Sequence, residues 1–227
     1  MNLYSFVIEN KEILEAVYSL IIGLICAVIV SKTDKFFRLS LHQGIRYFRN
    51  SFLFFGLAFL ARYIFGLSLG LSLTYAFVVQ IAFEYFLVMA GFFLLYSLIW
   101  KKFESPKDKY FSSLFNTKVA IFHFMALLIA AGDSLWNDYN FMFISQIIIF
   151  SYASVLSCIN YRNDAGKHQF PKFYFLAMLS GLCAWILNFL AEAYFEWNKW
   201  ILINIGIINI IFFLLFLYGI IRVIKTK

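Results

Sequence analysis

The sequence predicts an all-α polytopic membrane protein: seven transmembrane helices in one bundle, N-terminus outside and C-terminus cytoplasmic. Two observations predict it. Seven long apolar segments cover residues 13–30, 47–65, 73–100, 119–136, 139–159, 173–195 and 200–224. The loops between them alternate in charge. A helix rises about 1.5 Å per residue, so about 20 apolar residues cross a hydrocarbon core of about 30 Å. The chain is 63% hydrophobic and 14% charged, with mean hydropathy +0.82. A soluble domain is nearer half apolar and a quarter charged. Barrel strands would alternate polar and apolar residues; runs such as FLFFGLAFL do not.

Each segment fits this scheme in turn. Helix 1 follows Glu9 and Glu12 and leads into a basic loop with Lys32, Lys35, Arg38, Arg46 and Arg49. Its acidic flank and the lack of an A-x-A site predict that it is retained rather than cleaved as a signal. Helix 2 returns outward and carries Arg62 near its outer end. Helix 3 re-enters through Gln80 and Glu84 to Trp100, and Lys101, Lys102, Lys107, Lys109 and Lys118 follow it. Helix 4 carries His123 and ends at Asp133 and Trp136. Helix 5 carries Gln146 and meets Arg162, Lys167 and Lys172. Helix 6 carries Asn188 and ends at Glu192 and Glu196. Helix 7 carries Asn204 and Asn209 and runs to Arg222, Lys225 and Lys227. Sixteen basic residues thus fall on one side and three (Lys11, Arg62, Lys199) on the other. Basic loops stay cytoplasmic, which sets the orientation.

The net charge of +7 belongs to those inner loops and faces anionic lipid; nucleic acid is not an expected partner. Cys26, Cys158 and Cys183 are odd in number and lack a C-x-x-C, so they read as packing residues. The segment KFFRLSLHQGIRYF, residues 35–48, mixes basic and aromatic residues. It reads as an amphipathic stretch on the inner leaflet or as a solvated loop.

A faint repeat runs through the chain. An ungapped shift of 126 residues lays Ser19, Ile21, Ile22, Ala27, Ser31, His42 and Gln43 on Ser145, Ile147, Ile148, Ala153, Ser157, His168 and Gln169. Arg46-Tyr47-Phe48 then meets Lys172-Phe173-Tyr174. With a shorter outer loop, FFLLY at 92–96 meets FFLLF at 212–216. The repeats would cover 13–102 and 139–224, with helix 4 (119–136) as linker, in one domain of residues 1–227. Chance matching of apolar runs is the competing explanation.

This 3+1+3 layout resembles the transporter–opsin–receptor group, including the PQ-loop sugar and amino-acid carriers. His42-Gln43 and His168-Gln169 stand where those carriers have Pro-Gln pairs, with histidine in place of proline. The resemblance implies two parallel three-helix units with substrate bound between them. The layout is also similar to the seven-helix sensor regions of bacterial signalling proteins. Microbial rhodopsins are excluded, since no lysine lies between Trp200 and Ile221 to hold retinal.

The candidate site is a set of intramembrane polar residues: Glu84, Gln80, Arg62, Gln146, Asn188, Asn204 and Asn209. An ionisable residue within a span is costly and faces the bundle interior. Glu84 is placed near the middle of helix 3, with Gln80 one turn away on the same face. Arg62, at the end of neighbouring helix 2, is its expected partner, or else snorkels to the interface. The amides share the outer half, which suggests a polar pocket open to the outside. Alternatively each amide bridges helices, at about 0.6–2 kcal/mol. No catalytic, cofactor-binding or metal-binding motif is present, so the expectation is a protein that is not an enzyme and carries no cofactor. Two functions stay open: a small-solute or proton-coupled carrier in the cell membrane, or a receptor-like sensor or accessory subunit working through partner proteins. The expected partners are the lipid bilayer and a small-molecule ligand.

Overall fold

A computed structural model describes residues 11–40, 43–62, 73–103, 114, 117–136, 138–163, 169–195 and 199–225. Seven helices form among them: α1 Lys11–Ser40, α2 Gln43–Leu60, α3 Leu73–Phe103, α4 Thr117–Trp136, α5 Asn140–Asn163, α6 Gln169–Phe195 and α7 Lys199–Lys225. His42 and His168 lie outside the described residues.

Six of the helices are long and apolar enough to cross a membrane, and the chain is a multi-pass membrane protein. The exception is α2, whose first turns carry Arg46, Arg49 and Asn50. Neighbouring helices shield it instead of lipid: Asn50 and Ser51 are buried, and the Ser51 hydroxyl donates to Ala90 O of α3 at 2.7 Å. On α1, Ser19 donates to Phe59 O of α2 at 3.1 Å. Such bonds hold helices together where apolar burial against lipid gives little net drive. The outward faces carry Leu24, Ile121, Phe124, Ile148 and Val155, as lipid contact requires.

The stretch 35–48 is not a separate surface segment. Apart from residues 41 and 42, it forms the ends of α1 and α2. Asp34 and Arg49 form an ion pair across this junction, and the Arg46 guanidinium lies over the Phe37 ring. Once the two helix ends are tied side by side, helical hydrogen bonding satisfies the backbone better than an open loop would.

Six helices close into a ring. The neighbours are α1–α2, α2–α3, α3–α5, α5–α6, α6–α7 and α7–α1; α4 lies outside, touching α3 and α5. The order of the ring maps onto itself when α1–α3 are exchanged for α5–α7, whereas the contacts of α4 do not.

Aromatic rings fill the centre. Phe48, Phe52, Phe55 and Phe59 recur at helical spacing along one face of α2 and meet Phe212, Phe213 and Phe216 of α7. Phe150 of α5 and Tyr174 of α6 close the cluster. Each such pair contributes about 0.5–1.5 kcal/mol beyond its area. The Tyr174 hydroxyl donates to Leu94 O of α3 at 3.2 Å and lies 3.0 Å from Ser97 Oγ, tying α6 to α3 across the bundle.

Candidate functional site

Two polar features occupy the half of the bundle nearest the α4–α5 turn. The first is an acid pair. Glu84 is fully buried; Gln80 Nε2 donates to its Oε1 at 2.9 Å, and its Oε2 meets no hydrogen-bond donor among the described residues. The carboxyl of Asp133 lies close enough to interact directly with that of Glu84. Asp133 is also fully buried. Its two oxygens accept the backbone N–H groups of Phe141, at 2.8 Å, and Met142, at 2.7 Å, at the start of α5. A carboxylate there satisfies donors that have no partner within the helix and complements the helix dipole. Asp138 repeats the arrangement by accepting from Asn140 N at 2.8 Å.

Glu84 is the twelfth of the 31 residues of α3, and its neighbour Asp133, near the end of α4, sets it beside the α4–α5 turn. Arg62 is exposed, at a π-type turn just past α2. Its guanidinium lies 4.7 Å from the Phe83 ring centre and 5.7 Å from that of Tyr139, within electrostatic range of Glu84.

The second feature is a cavity of about 80 Å³ on the bundle axis. Every helix of the ring contributes to it and α4 does not. Tyr18 comes from α1, Phe83 and Leu87 from α3, and Met142 and Phe143 from α5; Asn209, Phe212 and Phe213 come from α7. Phe55, Phe59 and Arg62 enter from the α2 side and Gly181, Trp185 and Asn188 from α6. The two triplets are separated by 126 residues at each position. Gly181 is required where it stands, since a Cβ there would lie 2.5 Å from the Phe150 ring and 2.9 Å from that of Phe212.

The seven sequence candidates divide accordingly. Glu84 and Gln80 belong to the acid pair; Arg62, Asn188 and Asn209 line the cavity. Glu84 does not line it, because the lining passes through Phe83 and Leu87 on the neighbouring face. Gln146 is fully buried but works as a helix bridge: its Nε2 donates to Leu87 O at 3.3 Å and its side chain fills the space left by Gly91. Asn188 also donates to Ala184 O of its own helix at 2.8 Å. Asn204 is exposed.

Sequence reasoning placed Asp133 at the membrane boundary and missed it as the neighbour of Glu84. The signal available was the two-residue gap between the two apolar runs, which brings the end of α4 to the start of α5. His123 is occupied structurally. Its Nε2 lies 2.7 Å from Leu114 O, an acceptor only, so Nε2 carries the proton and Nδ1 accepts from the Tyr85 hydroxyl at 2.6 Å.

The chain is similar to an uncharacterised protein of Archaeoglobus fulgidus, 28% identical over 192 residues and covering 77% of each chain. No protein-family model matches the chain. No solved structure matches it.

Proposed function

We propose that the protein is a small-solute carrier of the cell membrane, in which residues 13–102 and 139–224 form two parallel three-helix units around the axial cavity. One observation carries this reading: Phe55, Phe59 and Arg62 on one side of the cavity face Gly181, Trp185 and Asn188 on the other, position for position in the 126-residue register. Parallel-repeat transporters place substrate between their units, and α4, as linker, then has no reason to reach the cavity. The sixteen-to-three distribution of basic residues puts the cavity end outside.

The cavity also limits the solute. Its walls are aromatic, and Arg62, Asn188 and Asn209 supply the polar contacts. A small solute with a flat apolar body and one hydrogen-bonding head matches these walls. The reading includes no catalytic step and no cofactor.

The test is uptake by proteoliposomes of radiolabelled short-chain carboxylates, amino acids and small sugars. Wild type should accumulate at least one of them, and Asn188→Trp, which fills the cavity, should not. A receptor-like role has one observation in its favour: Phe212 of the cavity wall packs on the buried ring of Phe150. Saturable binding without uptake, lost in Asn188→Trp, would decide for that role.

A further inference from the structure

We propose that Glu84 and Asp133 together hold a single proton, carried on Glu84, which makes this pair a proton-binding site distinct from the axial cavity.

The argument starts from the orphaned oxygen. Glu84 is fully buried, and its Oε2 has no donor among the described residues. Leaving a buried polar atom unsatisfied costs about 1–3 kcal/mol, and more for a charged group. The side chain within reach, beside Gln80, is another buried carboxyl, that of Asp133. Two ionised carboxylates offer each other only acceptors and repel. One proton between them converts the clash into a hydrogen bond, and the pair then titrates as a unit.

Geometry assigns the proton to Glu84. Both oxygens of Asp133 already accept backbone N–H groups at the start of α5, so each is engaged as an acceptor, while Glu84 has an oxygen left over to carry the proton. Glu84 accepts a single amide, from Gln80. The surrounding charges do not change this assignment. From the α2 side comes Arg62, which faces Tyr139 as well as Glu84. Asp138, next to Asp133, adds negative charge. From α6, Glu192 adds more within range of Tyr139, and its Oε2 is also buried without a partner. Among the described residues the carboxyls of Glu84, Asp133 and Asp138 thus stand close together, and taking up a proton lowers the repulsion among them. Among the described residues no group of acidic, histidine or cysteine side chains is arranged to hold a metal ion.

Arg62 gives the proton a route to influence the cavity. It lines the cavity and also sits within electrostatic range of Glu84. Losing the proton would draw the guanidinium toward the acid pair and away from the cavity wall. The proton site itself stands whether or not the cavity carries a solute.

The experiment is infrared spectroscopy of the full-length protein in lipid at neutral pH, with no solute added. The expected result is a protonated-carboxyl carbonyl band that shifts in D₂O, moves down when glutamate carboxyls are labelled with ¹³C, and disappears in Glu84→Gln. The amide of that variant can still donate to Asp133, so its melting temperature should stay near that of wild type. The labelling arm needs no mutation and keeps the test valid should the variant fail to fold. Absence of the band in wild type, a band insensitive to glutamate labelling, or one that persists in folded Glu84→Gln would each overturn the proposal. So would a band that appears only when sodium is replaced by a bulky organic cation, since a metal ion would then occupy the pair.

Discussion

The rings of Phe48 and Tyr174 pack across the bundle with centroids 5.8 Å apart, and these two residues occupy the same position in the 126-residue register. Residues that face the axis of a parallel two-fold arrangement meet their own counterparts at equal depth. Their other contacts correspond in part. Phe48 packs on Phe216 of α7, and Tyr174 bonds to Leu94 and Ser97 of α3, on either side of Tyr96, which aligns with Phe216 once the outer loop is shortened. The correspondence has limits: Ser19 bonds to α2, while its counterpart Ser145 bonds to Met142 O within its own helix.

Removing either ring should destabilise the bundle. Phe48→Ala is expected to cost about 3–5 kcal/mol, the range for a large buried aromatic. Tyr174→Phe keeps the ring and loses only the hydroxyl bonds, so about 1 kcal/mol is expected. Thermal unfolding in detergent should rank them in that order. Equal losses would mean that the hydroxyl, not the ring stack, holds α6 in place.

Asp133 should matter to the fold through its cap on α5. Asp133→Ala strips the acceptor from two backbone N–H groups and should lower stability by about 1–2 kcal/mol. Asp133→Asn keeps one acceptor oxygen and should recover part of that loss. Melting temperatures of the two variants check this, and an alanine variant as stable as wild type would contradict the cap.

His123 should carry a proton on Nε2. Nitrogen NMR of histidine-labelled protein reads the tautomer directly. Tyr85→Phe removes the donor to Nδ1 and should shift that nitrogen's resonance while leaving Nε2 nearly unchanged. A proton on Nδ1 in wild type would mean the Leu114 contact is misassigned.

The topology has its own check. A cysteine at Lys107, in a background lacking Cys26, Cys158 and Cys183, should react with membrane-impermeant thiol reagents only after the cytoplasmic side is opened. Reaction in intact cells would reverse the orientation.

Apolar run length and loop charge sufficed to read the helices, because both are set by the bilayer rather than by side-chain partners. The bounds of α4 and the end of α6 follow the apolar runs closely. Two features were hidden for physical reasons. In α2, helix neighbours rather than lipid solvate Asn50 and Ser51, so hydropathy alone misjudges it. The neighbour of Glu84 depends on how α4 packs against α3, an outcome that position within an apolar run does not encode. The candidate amides look alike in the sequence, yet Gln146 became a bridge against Gly91 while Asn188 and Asn209 reached the cavity. Gly91 and Gly181 decided this by admitting a neighbouring side chain, which shows only when helices meet.

The central claim is that two equivalent units share one cavity, and paired accessibility tests it most directly. Arg62 and Asn188, replaced one at a time by cysteine in the cysteine-free background, should both react with an impermeant thiol reagent in intact cells. Both should be protected by Asn209→Trp, which fills the space between them. Reaction of only one position from outside, or protection of only one, would contradict a cavity shared between two equivalent units.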